Sequence, residues 1–328
     1  MKVLVTGGFG NVGRSAIAAL RSAGDSVTVL ETASRRNRRL AKTCAKGCRV
    51  LFGDIRDAET AGLAVEGQEA VVHLAALIPP GADRAPDLAR AINVGGTANL
   101  LAAAAGSPLR PRFVLASSIS VYGDRVLDFW IGAGDRLEPS HGDEYGRTKV
   151  EAERLVRESG LPFSILRLTY IVWRKKLGLD PLMYHMPLAT KIEICHTEDT
   201  GRAFAAAVRK PEALGATFDI GGGATCRTTY REYLDRMFGL FGLGDAGFLP
   251  EEAFAASGFH CGWYADSDEA ERVLGFRRKS LEDYYGEVRV EARWKKVGAA
   301  LVRPILRRAL LAKSPFAAAG RNAAPSGA

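Results

Sequence analysis

The sequence predicts a doubly wound α/β fold, a parallel sheet flanked by helices, followed by a smaller, mostly helical C-terminal part. Three observations carry this. Short apolar runs alternate with helical stretches through the first half of the chain. The runs are continuously apolar, as strands covered on both faces must be. The first run is followed at once by a glycine-spaced turn, TGGFGNVG, that opens a helix.

Taken in order, the strand segments are KVLVTG (2–7), SVTVLE (26–31), CRVLFGD (48–54), AVVHLAA (70–76) and RFVLASS (112–118). Between them, NVGRSAIAALRSAG ends at Gly24 and NVGGTANLLAAAA spans 93–105. After about residue 170 the rhythm loosens. LGLDPLMYHMP (177–187) reads as loop, DTGRAFAAAVRK (199–210) as helix, ATFDIGGG (216–223) as strand and turn, and YREYLDRMFGLFG as helix. The organisation expected is a nucleotide-binding domain over 1–170, with 190–225 returning to it. Residues 171–189 and 226–292 form the substrate-binding part, and 293–328 a basic tail. The last segment, SPFAAAGRNAAPSGA, is small and polar enough for disorder. No internal repeat is found.

At 328 residues, 47% hydrophobic and 25% charged, the chain has the composition of a globular protein with a sizeable core. Met1-Lys2 leads directly into strand, and no apolar run reaches membrane-spanning length, so a cytoplasmic protein is expected. The cysteines at 44, 48, 195, 226 and 261 form no C-x-x-C pair and read as reduced thiols. The net charge of +8 is local. Residues 293–328 hold eight Lys or Arg and no Asp or Glu, which leaves 37 basic against 37 acidic residues elsewhere. A nucleic-acid groove is not indicated.

The glycine turn sits where a dinucleotide fingerprint requires it, after a strand and before a helix. Gly7 allows the tight turn, Gly10 the close approach of a pyrophosphate, and Gly13 the packing of helix on strand. Asn11 and Val12 open the helix whose N-terminus favours the phosphate charge. Glu31, 18 residues past Gly13, ends the second strand where a carboxylate accepts from the ribose hydroxyls. That selects NAD over NADP, although Arg35 and Arg36 lie near enough to compete for a 2′-phosphate.

T-G-x-x-G-x-x-G, GDIRD, HLAA, Asn93, SSISVYG and Y-x-x-x-K, in this order, resemble the extended short-chain dehydrogenase/reductases, the NAD-dependent epimerase/dehydratase family. The resemblance continues through HTEDTGRAFAAAV, FDIGGG and DSDEAERVLGFRRKSLEDY, and so covers about residues 1–290. It implies a Rossmann sheet, an NAD cofactor, a small-molecule substrate and a homodimer. It implies that Asp54 and Ile55 flank the adenine and that Leu74, Ala75 and Ala76 line the cofactor groove. Tyr145 and Lys149 match the catalytic pair, with Lys149 also on the nicotinamide ribose. Ser118 matches the hydroxyl that bonds the reacting oxygen, with Ser120 assisting. Asn93 positions the helix or a proton-relay water. Tyr122 lines the substrate pocket or simply packs, and His196 supports the active-site wall. His73 reads as packing or backbone-bonded, and His185 and His260 have no partner at metal-ligand spacing.

One helical turn apart, Tyr145 and Lys149 share a face, so the ammonium favours the phenolate of a phenol that is otherwise a poor base. Family members that eliminate water carry an Asp-Glu pair at the positions of Ile119 and Ser120. Its absence disfavours a dehydratase and leaves epimerisation or oxidation and reduction. At the position where nucleotide-sugar enzymes place a diphosphate-binding Arg, the chain offers only Lys191. Arg174, Lys175 and Lys176 are the other cations for an anionic substrate, or a solvated loop. The substrate is therefore a nucleotide sugar or another hydroxy or keto compound. A non-catalytic NAD-binding scaffold is the remaining alternative.

In the tail, RWKKVGAALVRPILRRALLAK, helical winding puts Trp294, Val297, Leu301, Val302, Ile305 and Leu306 mainly on one side, with a kink expected at Pro304. The helix either docks on the protein's own body or lies on an anionic membrane, in which case the substrate is expected to be lipid-linked.

Overall fold

The computed structural model describes residues 1–174 and 181–317. The first half runs β1 (Lys2–Thr6), α1 (Asn11–Ser22), β2 (Ser26–Glu31), α2 (Arg35–Cys44), β3 (Arg49–Phe52), α3 (Ala58–Val65) and β4 (Ala70–His73). Short helices α4 (Gly81–Arg84) and α5 (Pro86–Arg90) pass through a π turn (Ala91–Gly95) into α6 (Gly96–Gly106). Then come β5 (Arg112–Ser118), a 3₁₀ turn (Ile119–Tyr122), β6 (Trp130–Ile131), α7 (Glu144–Glu158) and β7 (Phe163–Leu168). The second half comprises β8 (Tyr170–Val172), β9 (Lys191–His196), α8 (Thr197–Arg209), β10 (Thr217–Ile220), β11 (Arg227–Thr229) and α9 (Tyr230–Leu240). It ends with β12 (Trp263–Tyr264), α10 (Ser267–Leu274) and α11 (Leu281–Leu311).

Seven strands form one parallel sheet in the order β10-β7-β5-β4-β1-β2-β3. Both faces are covered, and the strand period of two is visible in the cores. Val3, Val5, Val29 and Val114 pack against α1 and α8 through Ile17, Leu20 and Phe204. Leu4, Leu30, Val71 and Leu115 point the other way, onto Val65 of α3, Leu100 of α6 and Val156 of α7. Chain order reverses between β1 and β4, which pair from Val3–Ala70 to Thr6–His73. The crevice beyond the C-terminal ends of these two strands is the ligand site of such sheets.

Residues 197–220 return to this sheet as α8 and the edge strand β10. Strand β9 does not. It pairs with β8 and β11 in a separate three-stranded sheet, and β6 pairs with β12. Strand thus contributes more to the C-terminal part than its sequence suggests. That part has its own aromatic core, in which Tyr184, Tyr230, Tyr233, Phe238, Phe248 and Tyr284 meet from four separate segments. Within 177–187, residues 181–185 make one 3₁₀ turn. The rest of that loop before residue 181, and residues 318–328 of the polar end, lie outside the described residues.

The tail is the distal half of α11, a helix that runs unbroken through Pro304. Proline removes one N–H from the helix ladder, and Pro304 lies on the exposed side of the helix. The helix is docked. Ala299 and Leu310 are buried, Leu306 packs on the aromatic core, and the Tyr184 hydroxyl donates to the Leu310 carbonyl at 2.9 Å. The expected one-sided stripe therefore divides: Leu306 faces the body, whereas Trp294, Val302 and Ile305 are exposed. The side chains of Lys295, Val297 and Leu301 lie outside the described residues.

Candidate active site

The glycine turn separates into three distinct requirements. Gly7 has φ +68°, and a Cβ on it would lie 2.7 Å from the Ala75 nitrogen, so the turn after β1 presses directly on the segment after β4. A Cβ on Gly13 would lie 2.3 Å from the Gly7 carbonyl oxygen. That glycine is what lets α1 seat on the turn. Gly10 is different: a Cβ there would meet only the Gly7 oxygen, at 3.4 Å. Its bareness serves no packing inside the protein.

Helix α1 also begins without a capping side chain. By contrast, Ser34, Asp57, Asp143, Thr229 and Ser280 cap α2, α3, α7, α9 and α11. The first-turn N–H groups at Asn11, Val12 and Gly13 have no intrahelical acceptors, and the Asn11 amide oxygen is taken by Arg14 at 2.6 Å. An open glycine before an uncapped helix N-terminus fits the pyrophosphate of a dinucleotide.

Glu31 stands at the end of β2, where it accepts from the Phe9 N–H at 2.8 Å and from the Asn37 amide at 3.1 Å. Burial raises its pKa, and the Phe9 hydrogen bond works against that rise. Each carboxylate oxygen retains a lone pair for a ribose hydroxyl. Leu74, Ala75 and Ala76 follow β4 as half-buried residues along the crevice. Asp54 is committed to the Arg56 guanidinium beside it, at 2.6 Å, and Ile55 is buried beneath Gly96.

The second cluster lies where β5 meets α7. Ser118 ends the strand in extended conformation, with its hydroxyl accepting from the Ser120 N–H at 3.2 Å and close enough to the Tyr145 phenol to favour its ionised form. One turn along α7, the buried Lys149 ammonium donates to the Ala116 carbonyl at 2.8 Å and lies 5.7 Å from the Tyr145 ring centre. Burial raises the phenol's pKa, the Ser118 hydrogen bond lowers it, and Asp143 raises it further. Burial lowers the Lys149 pKa to about 8, opposed by Glu153. A further turn along, Glu153 accepts from Ser117 at 2.5 Å and takes a two-pronged grip from Arg167 at 2.9 and 2.8 Å. Two successive turns of α7 are thus bonded to the end of β5, and Tyr145 lies one turn before them.

Asn93 works as a positioning residue. Its amide oxygen accepts from Leu77 N–H at 2.7 Å, and its amide nitrogen donates to the Leu77 carbonyl and to Thr148, both at 3.0 Å. His73 does more than pack. Thr97 donates to the Asn93 carbonyl at 2.6 Å, so it accepts from His73 Nε2, while Thr6 donates to Nδ1 at 2.7 Å. The imidazole is therefore neutral, and burial next to Lys149 lowers its pKa to about 3.

Ser120 and Tyr122 both have partners within the protein. The Ser120 hydroxyl donates to Asp143, the cap of α7, and so fixes the helix that carries Tyr145. Tyr122 is buried, its hydroxyl donating to Asp219 at 2.7 Å and accepting from Arg167 at 2.6 Å. One step along a 3₁₀ turn redirects a side chain by about 120°, and sequence spacing does not show which step faces the crevice. Arg174 pairs with Glu291 of α11 at 3.5 Å; Lys175 and Lys176 lie outside the described residues. His196 caps α8, accepting from Glu198 N–H at Nδ1 and facing Glu287 at 3.2 Å through Nε2. Among the described residues no group of His, Cys, Asp and Glu could hold a metal ion. Asp143, Glu153 and Arg167 were not singled out as site-building residues in the sequence, although Asp143 has cap spacing and Glu153 follows Lys149 by one turn.

Comparison with known proteins agrees with this geometry. Residues 3–172 match the NAD dependent epimerase/dehydratase family. A 3 beta-hydroxysteroid dehydrogenase/Delta 5-->4-isomerase of Mycobacterium tuberculosis is 37% identical over 168 residues, 47% of this chain and 42% of that protein. A dTDP-glucose 4,6-dehydratase of the same organism is 33% identical over 163 residues, 48% of each chain. The chain thus spans less than half the length of these relatives. The crystal structure of the dTDP-glucose 4,6-dehydratase of Streptomyces venezuelae, with NAD bound, superposes with a TM-score of 0.73 at 26% identity, covering 92% of this chain and 98% of that one. With the fingerprint, the sheet order and the matched half of the sequence in agreement, the chain belongs to the NAD-dependent epimerase/dehydratase family, whose cofactor is NAD.

Proposed function

We propose that the protein is an NAD-dependent oxidoreductase or epimerase acting on a secondary alcohol or ketone, with Ser118, Tyr145 and Lys149 as its catalytic residues. The observation that carries this is the meeting of the three side chains at the end of β5, beside the reversal point of the sheet. Bound NAD supplies the hydride acceptor. Gly7, Gly10, Asn11, Val12 and Gly13 hold its pyrophosphate and Glu31 its adenosine ribose. Asp54 and Ile55 flank the adenine, Leu74 to Ala76 line the groove, and Lys149 binds the nicotinamide ribose. Tyr145 Oη takes the proton of the substrate hydroxyl, and Ser118 Oγ donates to the oxygen as it becomes a carbonyl. In this reading the positive charge of Lys149, one turn along α7, favours the phenolate against the burial that opposes it.

Tyr145→Phe is expected to lower turnover by roughly 10²-fold or more while NAD binding, read by fluorescence titration, survives. Near-normal turnover in that variant overturns the assignment. NAD is expected to bind more tightly than NADP, because Glu31 meets a 2′-phosphate with like charge. Tighter NADP binding would assign the choice to Arg35 or Arg36.

For the substrate, the sugar-nucleotide enzymes among the relatives support a nucleotide sugar. A non-sugar hydroxy or keto compound is favoured by one observation. Lys191, the cation expected on a diphosphate, lies over the rings of Phe129 and Trp263, 5.8 and 5.5 Å from their centres. Turnover of sugar nucleotides set against that of a 3-hydroxysteroid, each followed by bound-cofactor absorbance, separates the two. Ile119 and Ser120 supply no carboxylates for elimination, so accumulation of a dehydrated sugar product would contradict either version. A homodimer is part of the same reading, tested by light scattering.

A further inference from the structure

Helix α11 is apolar on two opposite sides. Its inner side is occupied: Tyr284, Val288, Ala292, Ala299 and Leu310 are buried in the body. Val290, Trp294 and Ile305 are 63%, 76% and 72% exposed. At about 100° per residue these three fall within roughly 60° of one another, across the helix from the buried set. Exposed large apolar side chains aligned over more than four turns need a partner that scattered ones do not.

The charge beside them states what kind. Arg289 and Arg293 lie along one edge of the apolar line and Arg308 falls within it, all three exposed, whereas Glu287 and Glu291 on the other edge are paired with Lys279 and Arg174. Arg308 also lines a shallow groove of about 340 Å³ with Pro304, Arg307, Leu311 and Ala312, close to Ile305. Two other cations serve the docked side, Arg303 over the Phe248 ring and Arg307 donating to the Phe248 carbonyl at 2.8 Å. From Ala292 to the end the chain has no Asp or Glu, whereas the rest is balanced in charge.

We propose that the outer face of α11 docks on an anionic lipid surface, with Trp294 and Ile305 entering the boundary between headgroups and acyl chains and the arginines on lipid phosphates. Indole rings and guanidinium groups suit that layer, and the attraction is electrostatic as well as apolar. A second copy is the poorer occupant, because pairing this face with itself brings two arginine rows together. The membrane would be touched while the inner face stays docked, so the helix need not leave the body. This surface is independent of the catalytic assignment.

The test is flotation of the full chain with vesicles of phosphatidylcholine alone, or of phosphatidylcholine with a minority of phosphatidylglycerol. The wild type is expected in the lipid fraction only with the anionic vesicles, and less so as salt rises. In the double variant Trp294→Glu and Ile305→Glu, both sites being exposed, the bound fraction should fall by about tenfold or more with the melting temperature unchanged. Failure of the wild type to float with anionic vesicles overturns the proposal. So does equal recovery of wild type and variant. A variant of half the solution mass by light scattering, with no vesicle binding by either form, would assign the face to a second copy instead.

Discussion

Tyr145 is held in a place that opposes its proposed chemistry. Burial raises its pKa, and the Asp143 carboxylate two residues earlier raises it again; Ser118 works the other way. Asp143 is retained for another reason: it caps α7 through the Gly146 N–H at 2.7 Å and accepts from Ser120. Asp143→Asn keeps an oxygen for the cap and removes the charge. A phenolate is disfavoured by a neighbouring negative charge, so its removal should lower the Tyr145 pKa. The acid limb of the kcat/KM profile is then expected to move to lower pH, and a limb that stays put or moves up would contradict this account. Glu153 makes the opposite case. Its side chain is fully buried, and it is the charge that Arg167 needs. Glu153→Ala leaves the guanidinium uncompensated and should cost about 3–5 kcal/mol in urea unfolding. At this scale, Ser118, Tyr145 and Lys149 stand out in the sequence because their spacing repeats a known pattern, and their catalytic role is the proposal made above. Asp143 and Glu153 do not, because a charge that holds a helix in place looks in sequence like any solvated charge. For Ser120 and Tyr122 the alternatives stayed open in sequence because a short 3₁₀ turn gives no periodicity from which to read direction.

Among the elements, the glycine turn and α1 show how far a motif can be read. In sequence Gly7, Gly10 and Gly13 look equivalent. In the structure one adopts positive φ, one is pressed against backbone, and one is open. This difference gives a paired prediction. Gly13→Ala forces a methyl into the Gly7 carbonyl and should destabilise the fold by about 1–3 kcal/mol or more, seen as a fall in melting temperature. Gly10→Ala should change stability by no more than about 0.5 kcal/mol. Its NAD affinity, measured by titration, should still fall roughly tenfold or more, because the methyl enters the space left for the pyrophosphate. If Gly10→Ala binds NAD as tightly as the wild type, the phosphate does not sit over this glycine. Strands β1 to β5 were legible for a related reason: each carries consecutive β-branched or leucine residues that suit a sheet buried on both faces. Strand β7, FSILRL, was not among the expected segments, because Ser164 and Arg167 interrupt its apolar run. Short edge pieces such as β6 and β12, two residues each, have no pattern of their own and exist only through their pairing with each other.

At the scale of the whole molecule, the parallel sheet follows from local alternation, whereas the C-terminal part is assembled by contacts far apart in the chain. Tyr184, Tyr230, Phe248 and Tyr284 form one core although nothing in their spacing links them. The tail belongs to that core. Its composition left docking on the body and contact with a membrane both open, because composition records the exposed face and not the face that is covered. Leu310 is buried beneath it, and its carbonyl receives the Tyr184 hydroxyl. Leu310→Ala should therefore cost about 2–5 kcal/mol, the range for a large side chain removed from a packed site. Trp294→Ala, on the outer face, should change stability by no more than about 0.5 kcal/mol. Truncation at Ala292 removes Ala299, Leu306 and Leu310 together and should unfold or destabilise the C-terminal part well beyond the single change. Urea unfolding of the three forms decides the matter. If truncation leaves the midpoint where it was, α11 beyond Ala292 is not part of the core, and the inner face described here is not what holds the helix.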